Sequence, residues 1–96
     1  MTAVYILRCA DGTYYVGHSD DVEARVEAHN AGSGARYTAL RRPVQLVYVE
    51  SHPTVTAAVR REAQLKRWSA VKKAALVAGS PSTLKNLATC RSVRKK

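Results

Sequence analysis

Strand-forming side chains dominate the start of the chain. Val4, Tyr5, Ile6 and Leu7 lie in the run from Ala3 to Cys9, and Thr13 to Gly17 is a second run rich in Thr, Tyr and Val. Ala10-Asp11-Gly12 between them is a turn signal, so the two runs predict a hairpin. Its loop length decides which side chains meet. A two-residue loop at Asp11-Gly12 puts Tyr5 and Tyr15 on opposite faces. A three-residue loop, with Gly12 left-handed in a bulge and Cys9 opposite Thr13, puts them on one face, and this is the favoured reading. Ser19 or Asp20 then caps a helix running to about Ala31, with Asp20, Asp21 and Glu23 at its positive end and Gly32 and Gly34 to stop it. A loop over 33–42 carries Tyr37 and three arginines, and Val44 to Val49 is a third strand. Pro53-Thr54 opens a second helix, through about Trp68, and Ser69 caps a third, through about Ala78. The order β-β-α-β-α-α predicts an α/β (α+β) domain: a small three-stranded, mainly antiparallel sheet flanked by helices.

Polar residues stand where these patterns call for apolar ones. In the first helix Val22 and Val26 mark an inward stripe, and Arg25 and His29 fall on it. Two potential cations at i and i+4 gain nothing from each other unless an anion sits between them, and a phosphodiester is such an anion. The plainer reading is an Arg stem lying along the core edge with its head in water. In the second helix the expected stripe is Val55, Ala58, Val59 and Leu65, with Glu62 in its middle. An inward carboxylate is costly unless paired or bound to a metal. It reads either as an ion pair with Arg25 or another arginine, or as a ligand of a hard divalent ion such as Mg²⁺. No other acid falls on an apolar face, so one ion rather than two is expected.

Charge sharpens the picture. Residues 1–62 carry seven basic and seven acidic side chains, whereas residues 63–96 carry nine basic ones and no acid. The excess points to a polyanion, nucleic acid ahead of membrane. Length fits one domain, with the fold expected over 1–80 and a basic extension over 81–96. The cysteines, Cys9 and Cys90, lack the spacing of a zinc site and read as free thiols, Cys9 in a strand and Cys90 in the tail. No apolar window approaches a membrane span, which predicts a cytoplasmic protein. Five of the six aromatic residues are tyrosines. Such residues usually belong to half-buried sheets, which suffices for Tyr48, but Tyr5 and Tyr15 can converge with an arginine and a carboxylate.

These residues fit a known pattern. Ala3-Val4-Tyr5 and, ten residues after Tyr5, Tyr15-Val16-Gly17 resemble the signature of the GIY-YIG nucleases. Gly17 to Asp21 leading to Arg25, then His29-Asn30-Ala31-Gly32, resembles the first helix of the small single-domain bacterial members. Arg60-Arg61-Glu62 with Lys66 and Trp68-Ser69 resembles the segment holding that family's metal-binding glutamate. The likeness covers residue 3 to about 78. Ala3, Val4 and Val16 depart from it mildly, His18 stands where some members have a lysine, and the late asparagine of others has no clear counterpart, Asn86 lying in the tail.

The resemblance implies hydrolysis of DNA phosphodiesters with one Mg²⁺ or Mn²⁺ ion. Tyr5 and Tyr15 take the place of the paired tyrosines, Arg25 of the arginine, His29 of the histidine and Glu62 of the metal ligand, and these five form the expected catalytic set. Tyr5 or His29 is the general base. Tyrosine titrates near ~10, so a base role for Tyr5 calls for a cation, Arg25 or His29, to lower its pKa. His18, Tyr37, Lys66, Arg67, Lys72 and Lys73 are the expected DNA contacts. The alternatives are a non-catalytic nucleic-acid-binding module using the basic C-terminal region, and an adaptor whose tail binds an acidic partner.

Overall fold

The structure, a computed structural model, describes residues 2–79. Cys90, Asn86 and the basic extension over 81–96 lie outside the described residues. The elements are β1 (Thr2–Arg8), β2 (Tyr14–Ser19), α1 (Val22–Asn30), α2 (Arg36–Ala39), β3 (Gln45–His52), α3 (Val55–Lys66) and α4 (Ala70–Gly79). The sheet is antiparallel in the order β2-β1-β3, so the most apolar strand is central and β2 is an edge. The chain therefore has the expected α+β fold, with one added helical turn, α2, in the segment read as loop.

The hairpin has the three-residue loop. Cys9 N–H donates to the Thr13 carbonyl at 2.8 Å, Gly12 N–H to the Cys9 carbonyl at 2.9 Å, and Gly12 has φ +89°. That loop fixes the register: Tyr5 opposes Gly17 and Leu7 opposes Tyr15. Alternation then sorts the side chains onto two faces. Tyr5, Leu7, Cys9 and Tyr15 pack with Val22 and Val26 of α1, and with Val44. Val4, Ile6 and Val16 pack with Ala58 and Leu65 of α3 and with Leu76 and Val77 of α4. Complete burial of a side chain such as Ile6 or Leu65 contributes roughly 1.5–3 kcal/mol.

Three local expectations change. Asp21, not Ser19 or Asp20, caps α1: its backbone is extended and its carboxylate accepts from Ala24 N–H at 3.1 Å. Arg25 is exposed rather than inward: α1 packs through Val22, Val26 and the buried His29, and Arg25 borders a surface cavity beside them. On α3 only Ala58 and Leu65 of the four expected apolar positions are buried; Val55 and Val59 are 54% and 45% exposed. Small Ala58 lets the helix approach the sheet, and the buried line runs through Ala58, Arg61, Glu62 and Leu65. The caps Thr54 and Ser69 are as expected, accepting from Ala57 and Lys72 N–H.

Candidate active site

Tyr5 occupies the middle of the central strand, and its ring reaches across the edge strand. A Cβ at Gly17 would sit 2.5 Å from the Tyr5 hydroxyl and 2.6 Å from Cζ. No residue with a side chain fits opposite this tyrosine without moving it. The phenol oxygen lies 3.0 Å from His29 Nε2. His29 is fully buried at the last turn of α1, where Gly34 gives it room: a Cβ at Gly34 would lie 2.8 Å from the His29 Cα. Tyr15 meets the same imidazole edge-on, with centroids 5.1 Å apart.

The other imidazole nitrogen has a buried partner of its own. His29 Nδ1 is 2.7 Å from the hydroxyl of Thr38, itself fully buried on α2, and that hydroxyl donates to the Ala35 carbonyl at 3.1 Å. A threonine has one proton to give. If it goes to Ala35, Thr38 accepts from Nδ1–H, and a neutral His29 then has Nε2 bare to accept the Tyr5 hydroxyl.

Electrostatics agree. Burial, assisted by the Arg25 charge, pushes His29 below its ordinary value of 6.5, which keeps the ring neutral. Burial also raises the Tyr5 phenol to about 12; Tyr15 and Glu62 act in the same direction and Arg25 against it. The condition set for a base role, a Tyr5 pKa lowered by Arg25 or His29, is not met in the resting site: desolvation outweighs Arg25, and a neutral His29 brings no charge. Tyr5 rests as a hydroxyl.

The remaining parts come from the far face of the same edge strand. His18, next to Gly17 on β2, contacts Glu62 of α3 through Nδ1, and Lys66 Nζ holds the other carboxylate oxygen at 2.7 Å. The partners of Glu62 are therefore a histidine and a lysine, not Arg25 or another arginine. Burial would raise the Glu62 carboxyl, but hydrogen bonds from Lys66 and His18 bring it below the ordinary value, so it is ionised at neutral pH. Arg25 borders a surface cavity of about 360 Å³ with Thr2, His18, Asp20, Asp21 and Val55. Both aspartates there are engaged, Asp20 with the Thr2 hydroxyl and Asp21 as the α1 cap.

Of the expected DNA contacts, Tyr37 stacks with Tyr15 at 6.1 Å and lies under the Arg41 guanidinium at 3.9 Å, so it forms a wall of the site. Exposed Arg67 ends α3, exposed Lys72 lies over the Trp68 ring at 4.2 Å, and Lys73 is half-buried in α4. With Lys66 they make the α3–α4 corner basic. Tyr5, Tyr15 and His29 are thus in contact on one face, Glu62, His18 and Lys66 on the other, and Arg25 stands exposed on α1.

Three contributors escaped the sequence reading: Thr38, and the spaces left by Gly17 and Gly34. Register arithmetic from the three-residue loop was enough to put Gly17 opposite Tyr5; nothing in the sequence marks Thr38. A second polar network, Glu50 with Tyr48, His52 and Arg61, is satisfied within itself. Among the described residues no three His, Cys, Asp or Glu side chains cluster to hold a metal, and no helix is long and apolar enough to cross a membrane.

Comparison with known proteins places the chain in a family. The family model described as the GIY-YIG catalytic domain matches residues 1–74. Two UPF0213 proteins of Staphylococcus aureus, from strains Mu50 and N315, are each 50% identical over 74 residues, spanning 77% of this chain and 90% of the relative. The solution structure of the UPF0213 protein BH0048 from Bacillus halodurans is 41% identical, with a TM-score of 0.53 over 86% of this chain and 92% of that one. The signature tyrosines on a three-stranded antiparallel sheet, the matching domain and these relatives together make the chain a member of the GIY-YIG family of nucleases.

Proposed function

We propose that this protein is a DNA endonuclease that hydrolyses phosphodiester bonds with one divalent ion, and that Tyr5, Tyr15, Arg25, His29 and Glu62 carry the reaction. The observation that carries the reading is the contact between Nε2 of buried His29 and the Tyr5 hydroxyl at 3.0 Å. A neutral phenol cannot abstract a proton unless it gives its own away. Here an acceptor stands ready. As water attacks phosphorus, its proton passes to the Tyr5 oxygen while the Tyr5 proton passes to His29 Nε2. The new P–O bond forms as the bond to the 3′ oxygen breaks, and the leaving oxygen takes a proton from solvent. The products are a 5′-phosphate and a 3′-hydroxyl. Tyr15, against the same imidazole, holds the water or phosphate in line, and the Arg25 fork neutralises the charge that builds on the phosphoryl oxygens.

The metal assignment rests on the donor chemistry. Glu62 is a single ionised carboxylate whose present partners are replaceable, the Lys66 side chain being 51% exposed and that of His18 36%. That suits Mg²⁺ or Mn²⁺, which take one or two carboxylates and complete their shell with water and phosphate oxygens. Held by Glu62, the ion would supply Lewis acidity to the phosphate. His18, Tyr37, Lys66, Arg67, Lys72 and Lys73 would carry the strand as backbone contacts.

The test is incubation with labelled single-stranded, duplex, flap and junction DNA, with and without Mg²⁺ or Mn²⁺. Metal-dependent nicking by the wild type, and none by Glu62→Ala of unchanged circular dichroism, is expected. Binding without cleavage of any substrate would instead identify a non-catalytic nucleic-acid-binding module.

A further inference from the structure

The role of His29 depends on which ring nitrogen carries the proton, and its own surroundings on the sheet do not decide that. Tyr5 can donate to Nε2 or accept from it, since a phenol does both. Tyr15 meets the ring by its edge, and Arg25 contributes only charge. The choice is made on the far side of the ring. Thr38 is fully buried, and its hydroxyl is held between two partners, the Ala35 carbonyl at 3.1 Å and His29 Nδ1 at 2.7 Å. The carbonyl can only accept, so it consumes the one proton of the hydroxyl and turns its lone pairs toward Nδ1. The α2 turn is itself seated by a backbone bond from Ala39 N–H to the same Ala35 carbonyl at 2.9 Å, which keeps that acceptor in place.

We infer that Thr38 is a positioning residue of the reaction: through the Ala35 carbonyl it fixes His29 in the Nδ1–H tautomer, which presents a bare Nε2 to Tyr5. The inference rests on the nuclease reading for its consequence, but not for its chemistry. Without the hydroxyl, Nδ1 loses this hydrogen-bond partner. A ring proton is then better placed on Nε2, donating to the Tyr5 oxygen, and in that state the imidazole has nothing with which to take the Tyr5 proton. The same reasoning gives the short, one-turn α2 a purpose: it carries the group that orients a base on another helix.

Thr38→Val keeps the branched shape and removes the hydroxyl; Thr38→Ser keeps the hydroxyl. Ring tautomers are read on the full-length protein by long-range ¹H–¹⁵N correlation, and single-turnover rates are measured on whichever substrate the wild type cleaves. The wild type and Thr38→Ser should show Nδ1 protonated and Nε2 bare. Thr38→Val should move the proton to Nε2 and lose on the order of 10²-fold in rate, the contribution typical of a general base, with DNA affinity unchanged. Thr38→Ser should restore most of the rate. A wild-type ring carrying its proton on Nε2 would overturn the inference even if no variant folds. So would a Thr38→Val ring that keeps the wild-type tautomer, or one that changes tautomer without slowing. If the wild type cleaves no substrate, the nuclease reading fails while the tautomer measurement still decides the role of Thr38.

Discussion

Arg25 and His29 show how much the immediate setting of a side chain adds to its type. Arg25 is exposed beside a cavity, yet its charge is felt by both Tyr5 and His29. If it grips two phosphoryl oxygens in the transition state, Arg25→Lys retains most DNA binding but loses ~10²–10³ in single-turnover rate, because lysine lacks the planar fork. Arg25→Ala should be at least as slow, with little change in melting temperature; a wild-type rate for it would make the residue structural. For His29 the prediction concerns pH. Its pKa is pushed below 6.5 by burial and then by Arg25, so the acid limb of the single-turnover rate should have its midpoint below 6.5. Stability follows the same linkage. The unfolded ring binds a proton more readily than the folded one, so the contribution of His29 is complete above the unfolded value, near 6.5, and is lost as pH falls below it. Urea titrations across that range, compared between wild type and His29→Gln, check the sign.

At the scale of elements, pairing was more legible than packing. Gly12 fixed the hairpin loop, the loop fixed the register, and the register put Tyr5 and Tyr15 on one face, all from a few residues of sequence. The caps Thr54 and Ser69 were equally plain. The phase of α3 was not. Val55 and Val59 look like core residues, but a helix rolls to wherever its smallest side chain permits closest approach, and Ala58 decided the contact. Burial of Glu62 was anticipated; its partners His18 and Lys66 were not, because a pairing between strand and helix leaves no periodic trace. Thr38 was invisible for a related reason, since one turn of helix among arginines and glycines carries no period. The strand pairing makes its own prediction. Gly17→Ala adds only a methyl group, but places it 2.5 Å from the Tyr5 hydroxyl. The phenol must move, breaking its bond to His29, so cleavage should fall by at least ~10², the scale of a misplaced reacting group. Alanine at 17 with full activity would show that the ring has another seat.

Over the whole molecule, charge is divided by position along the chain. The fold through Glu62 is balanced, and Lys66, Arg67, Lys72 and Lys73 start the excess at the α3–α4 corner. Residues 82–96, outside the described part, add five basic side chains and no acid. Deleting them should weaken DNA binding and flatten its salt dependence by up to ~0.9 in log–log slope for each phosphate no longer neutralised, while cleavage at saturating DNA persists. Fluorescence anisotropy across a salt series measures this, and an unchanged slope would place those residues away from phosphate.

The proposed site straddles one edge strand, with its tyrosines and imidazole under α1 and α2 and its carboxylate under α3. Neither helical layer holds a complete set of the proposed reacting groups, and the sheet lies between them. An intermediate that kept the hairpin and one layer would be inert, however native its secondary structure. Turnover is therefore tied to cooperative unfolding: heat or urea should extinguish it in step with the global transition, leaving no partly folded population able to cut DNA.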